Sequence, residues 1–132
     1  MTFNLTKDQI EIQQRARQIA STLVAENAVE VDKSEQYPWD NVKALTDAGF
    51  VGMTIPKKYG GPGRSFLEAN LVVEEMAAYC GPTGRIAVEA NMGAISAVMH
   101  YWTDFQKRLA AELVLAGDNP AICITEPDAG SA

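Results

Sequence analysis

The residues with the most chemical promise stand at the end of the chain, in Ile122-Cys123-Ile124-Thr125-Glu126-Pro127-Asp128-Ala129-Gly130-Ser131. Everything before them reads as helix. Here the pattern changes to a short β-like run and then to a turn of small and polar residues. An extended run carries backbone N–H and C=O groups that need partners, and the sequence offers no second clear strand to supply them. Thr125 and Ser131 bring hydroxyls, Gly130 lets the backbone approach a bulky group, and Pro127 fixes the turn. By residue type alone this is either an ordinary turn or a cradle of amides and hydroxyls for an anion or a cofactor.

Arg85 is the second candidate. It follows Gly84 at the entry of the most apolar helical stretch. Glu89, four residues on, could take it as a helical ion pair, although arginine N-terminal to glutamate is the weaker order. It could also be a partnerless surface charge, or it could hold the acid group of a ligand through charge-assisted, often bidentate bonds. His100, beside Met99, Tyr101 and Trp102, reads as a helix-end residue suited to the dipole there. Cys80 and Cys123 form no CxxC pair and read as reduced thiols. No His, Cys and carboxylate cluster has the spacing of a metal site.

These residues need elements to place them. Thr6 to Gln9, Ser65 to Glu68 and Thr103 to Gln106 are capping boxes that open three helices. The first runs to about Ala28, with Ile12, Ala16, Ile19 and Leu23 as its apolar stripe, and residues 29–36 read as a connection. Pro38 opens a short helix with Trp39, Val42 and Leu45 inward, closed by Gly49. Residues 57–63 carry glycines that suggest a phosphate cradle, but the Lys-Ser/Thr of a P-loop is missing and a sharp connection fits better. The Ser65 helix reaches about Tyr79 with Leu67, Leu71 and Val72 inward. Residues 80–84 break it, and residues 85–100 read as one helix, apolar nearly all round and central in a bundle. The last helix has Phe105, Leu109 and Leu113 on one stripe and ends at Gly117. The expected fold class is all-α: a helical domain over 1–119, then 120–132 as the first strand and turn of another domain.

The 132 residues suit one domain, 47% hydrophobic and 21% charged, with a net charge of −6. That charge argues against nucleic-acid binding. No apolar run nears the ~20 residues of a membrane span, and no secretion or mitochondrial leader is legible at Met1-Thr2-Phe3-Asn4. The location expected is the cytoplasm.

Ile124-Thr125-Glu126-Pro127-x-Ala129-Gly130-Ser131 resembles the T-E-P-x-A-G-S signature of the acyl-CoA dehydrogenase family. Tyr37-Pro38-Trp39, Ala48-Gly49-Phe50, Ile55-Pro56 and Tyr59-Gly60-Gly61-x-Gly63 fall in the order of similar elements in that family's N-terminal helical domain. The resemblance implies FAD as cofactor, contacted by Ile122, Cys123, Ile124, Thr125, Glu126, Pro127, Asp128, Ala129, Gly130 and Ser131. It makes Ser131 a substrate contact as well. Glu126 then serves the turn, because the family's base comes from a later helical bundle, and no catalytic residue is expected in this chain.

The same resemblance puts Arg85 beside the acyl tail, as in members that handle acyl groups with a charged far end. A methyl-ended chain would leave that guanidinium desolvated and unpaired. The implied substrate is therefore a short acyl-CoA with an acidic end. Residues 37–42 with Gly84-Arg85-Ile86 look most like the 3-sulfinopropionyl-CoA desulfinase branch. The implied reaction is α,β-dehydrogenation or desulfination, in a protein that is homotetrameric when full length. Residues 1–132 alone are expected to be inactive and to retain no FAD. The alternatives are a non-catalytic helical interaction module and an electron-transfer subunit, the latter without a redox motif to support it.

Overall fold

The computed structural model describes residues 4–130, and among them the fold is helical, with no paired strand. Helix α1 spans Lys7–Ile19, passes through a π-helical turn at Ala20–Val24, and continues as α2, Ala25–Ser34. Thr6 and Gln9 cap it reciprocally, so two otherwise unsatisfied N–H groups find partners. Beside the wide turn, the Thr22 hydroxyl donates to the Gln18 carbonyl at 2.8 Å. The connection expected at residues 29–36 is mostly helix. Charged residues there propagate a helix already nucleated, and the chain leaves it only at Glu35, which is left-handed at φ 53°.

Helix α3, Trp39–Asp47, follows Pro38, and Gly49 turns out of it at φ 73°. Val42 and Leu45 are buried as expected, but Trp39 is exposed. A tight loop over residues 50–64, with a 3-10 turn at Lys57–Tyr59, leads to α4, Phe66–Ala77. Ala69, Leu71, Val72 and Met76 face the core, whereas Leu67 is exposed. Cys80 caps α5, Gly81–Asn91, and Pro82 sits in its first turn. The sequence places a break from Cys80 through Gly84; the structure places it at residues 78–80 instead, because Gly81 and Pro82 fall in the first turn of α5, where the N–H groups have no helical partner anyway. A methyl on Gly84 would stand 2.6 Å from the Ala77 Cβ, so α4 and α5 touch there backbone to backbone.

The stretch read as one helix over 85–100 is two. After α5 the chain bends at Met92 and Gly93 and resumes as α6, Ala94–Tyr101. The last carbonyls of α5 are taken by the 50–54 turn: Gly52 N–H donates to Ala90 O at 3.2 Å, and the Thr54 hydroxyl donates to Asn91 O. Helix α7, Asp104–Leu115, closes the fold with the Thr103–Gln106 box. It buries Ala111 and Val114; Phe105, Leu109 and Leu113, the apolar stripe read from the sequence, lie at the surface.

Buried polar groups are paired. Glu75, 6% exposed, receives both Nε and Nη2 of Arg17 at 3.0 and 2.7 Å. Asn27 donates to Asn41 at 3.0 Å, and Asn41 donates to Thr83 at 2.9 Å. The capping carboxylate Glu68 accepts from Ser65 N–H at 2.7 Å and from Arg64 at 2.8 Å. The Ser65 backbone N–H above all, then its hydroxyl and Arg64, hold the Glu68 carboxyl below its ordinary range. A carboxyl depressed by folding adds stability above its unfolded pKa, lost as pH falls through the folded value. Glu68→Gln is thus expected to lower Tm at neutral pH, with the gap to the parent closing below about pH 4. A gap constant from pH 7 to 3 would contradict this.

Candidate functional site

The tail leaves α7 through Gly117 (φ 102°) and runs without regular structure from residue 118 to 125. Asn119 lies against Tyr37, whose hydroxyl burial pushes up and the Asn119 side chain pulls back. The strand expected within residues 120–132 does not form among the described residues, where residues 118–125 pair with no other segment in a ladder. Residues 126–129 fold into a tight turn: Glu126 N–H donates to Ala129 O at 3.1 Å, and Ala129 N–H returns to Glu126 O at 3.2 Å. Pro127 and Asp128 form its tip. Ile122, Cys123, Ile124, Thr125 and Glu126 are exposed. Among the described residues, and apart from its chain neighbours, no atom lies within 4 Å of the place a Gly130 Cβ would take. Ser131, the expected shared contact, lies outside the described residues.

The first part of the tail roofs a groove of about 820 Å³. Tyr37 and Trp39 form one wall, Val98 and Trp102 another, with Ile122 and Cys123 along the tail. Tyr37 and Trp39 meet edge to face at 4.6 Å between ring centroids. Arg85 does not line this groove, so within this chain the two expected parts of the site, tail and arginine, do not share one cavity. Glu126, in the turn, has no basic partner among the ion pairs of the described residues. His100 sits at the end of α6 with Nδ1 2.8 Å from Ser96 O, as its position suggested.

Arg85 stands in the first half of α5 with its side chain 69% exposed, and its guanidinium pairs with the Glu89 Oε1. Glu89 is different in kind: its side chain is only 12% exposed. Its other oxygen accepts from Ala94 N–H at 3.2 Å, capping the start of α6. The bend at Gly93 makes this possible, because a Cβ there would fall 2.1 Å from Oε2. One carboxylate thus fastens the α5–α6 bend and holds the arginine. Spacing alone announces the pair; the capping role was missed. Its signal was present in Asn91-Met92-Gly93, where a glycine interrupts a helical pattern.

The acyl-CoA dehydrogenase N-terminal domain, as a family description, matches residues 6–118. The 3-sulfinopropanoyl-CoA desulfinase of Variovorax paradoxus is 58% identical over 130 residues, which is 98% of this chain and 33% of that protein. Among solved structures, butyryl-CoA dehydrogenase from Megasphaera elsdenii superposes with a TM-score of 0.87 at 28% identity, over 98% of this chain and 35% of that one. A glutaryl-CoA dehydrogenase from Mycobacterium smegmatis, in complex with FADH2, gives 0.82 at 25% identity, over 96% and 33%. The chain spans about a third of the length of the curated relatives it matches.

Proposed function

This chain belongs to the acyl-CoA dehydrogenase family, and on that basis we propose that it is the N-terminal part of a flavin-dependent enzyme acting on a short acyl-CoA with an acidic far end. The observation that carries the reading is the 58% identity to a 3-sulfinopropanoyl-CoA desulfinase across nearly the whole chain. It favours desulfination, with release of sulfite, over α,β-dehydrogenation. Arg85, exposed yet held on α5, supports the acidic end of the substrate, because its free N–H groups suit a carboxylate or a sulfinate.

The tail fits a flavin. Thr125 and its neighbours are exposed, and outside the 126–129 turn the backbone hydrogen bonds of the described residues include none from residues 121–125. Free amides and a short hydroxyl match a ring edge of alternating carbonyl and N positions, and Gly130 is uncrowded. Residues 122–131 are therefore proposed to hold FAD, which when bound supplies the redox capacity of the family, and Ser131 is proposed to reach the acyl-CoA as well. This chain's share is to bind and orient; no base is assigned to it, and residues 1–132 alone are proposed inactive.

The domain division proposed is 1–119 and 120–132. No helix among the described residues is long and apolar enough to cross a membrane, and the net charge of −6 suits no nucleic acid. The reading includes a cytoplasmic homotetramer. Exposed Phe105, Leu109, Leu113, Tyr101 and Trp102 support further protein packed on this face.

The test is a thermal-shift screen of the full-length protein carrying this chain. Succinyl-, glutaryl- and 3-sulfinopropanoyl-CoA are set against their neutral analogues, with and without Arg85→Ala. Acidic esters are expected to give the larger shifts, and Arg85→Ala to remove about 10-fold or more of the preference, the effect of unpairing one charge-assisted contact. Equal shifts from acidic and neutral esters would end the assignment of Arg85.

A further inference from the structure

We infer that Glu89 is a specificity-determining residue: a built-in counter-ion that holds Arg85 when no acid group is present and competes with an acidic acyl end for it. The inference rests on the reading of Arg85 given above and extends it to a residue that need not touch the substrate.

Three observations converge on Glu89. Its carboxylate is largely buried while the arginine it holds is exposed, 12% against 69%. The enclosed member of the pair is therefore the acid and the solvent-facing member the base. The acid is fixed from its second oxygen by Ala94 N–H at the start of α6, where the helix dipole also favours a negative charge. The backbone is shaped around it, since any side chain at Gly93 would meet Oε2. An ordinary surface pair between turns of one helix has none of these supports.

The consequence is electrostatic. Without Glu89 the arginine would present an uncompensated positive charge, favouring an acidic acyl end and penalising a neutral one that desolvates it. With Glu89 the pair is neutral overall. A neutral acyl end leaves the pair intact, and an acidic end must draw the guanidinium at least partly from a carboxylate that stays behind and repels it. Glu89 thereby moderates the discrimination that Arg85 creates, and weakens the hold on an acidic ligand so that it can leave.

The test uses the full-length protein carrying this chain, with succinyl-CoA and butanoyl-CoA as probes, which differ by a carboxylate in place of a methyl. The quantity read is the ratio of their dissociation constants by calorimetric titration. Glu89→Gln keeps an oxygen for Ala94 N–H and removes the charge. It is expected to raise the preference for succinyl-CoA about tenfold, in the range of couplings between neighbouring sites, with a steeper salt dependence. Arg85→Ala is expected to abolish the preference. If Arg85→Ala abolishes it and Glu89→Gln leaves it unchanged or lowers it, the Glu89 inference is overturned and the Arg85 reading stands. If Arg85→Ala changes nothing, both fall. Should Glu89→Gln fail to fold, Gly93→Ala decides: by displacing the carboxylate it is expected to raise the preference in the same direction, and an unchanged ratio overturns the inference.

Discussion

Asn91→Leu is expected to destabilise the domain by about 2–5 kcal/mol, from the cost of orphaning two or more buried backbone groups. Asn91 is fully buried at the end of α5. Its Oδ1 accepts from Met53 N–H at 2.7 Å, and its Nδ2 donates to Phe50 O at 2.8 Å and Ala87 O at 2.9 Å. Leucine fills a similar space and offers none of these bonds. Met53 N–H and Phe50 O would lie in the core with no water to replace the amide. Asn91→Asp is expected to do little better, because it loses the Nδ2 donor and buries a carboxyl against two carbonyls. Denaturant titration checks both; a loss under about 1 kcal/mol for leucine would mean that the turn finds other partners. The functional reach is direct, since this amide sets where α5 stops and Gly93 bends, and the bend is where Glu89 caps α6.

Gly61→Ala is the second large effect expected, at about 3 kcal/mol, the upper part of the usual range for overpacking a core. The position looks like a loop glycine needed for a cofactor or an unusual φ. Neither is its role: a Cβ there would stand 2.2 Å from the Ile55 carbonyl oxygen and 2.5 Å from the Ile55 Cβ. Those are backbone and buried side-chain atoms with nowhere to go. The same carbonyl accepts from Gly63 N–H at 2.9 Å, and Arg64 N–H reaches Met53 O at 2.7 Å. A methyl would prise the 61–64 segment from the 53–55 segment and break both bonds. Gly49→Ala is the control. It has no atom within 4 Å but a φ of 73°, so it is expected to cost only about 1–2 kcal/mol of backbone strain. Equal losses at the two sites would mean that close packing at Gly61 is not what the glycine provides.

For the candidate site, sequence and structure contributed unequally. The Arg85–Glu89 pairing follows from four-residue spacing, and the structure contains it. The tail was legible only as a signature, because free amides announce a ligand's kind weakly and residues 124–128 are exposed. The cap on α6 was not legible, since it depends on a bend that the apolar pattern conceals.

What the sequence determined by itself is whatever a few consecutive residues can close between themselves. The three capping boxes form with both arms in place, Pro38 precedes α3, and Gly49 turns out of it, each through atoms three or four residues apart. What the tertiary structure alone decided is where a continuous apolar run ends and which apolar faces are covered. The 50–54 turn captures the last carbonyls of α5 and divides one expected helix into two. Leu67, Phe105, Leu109 and Leu113 keep the helical period of core residues and are nevertheless exposed. A local pattern records which side of a helix is apolar; what packs against that side depends on segments distant in the chain.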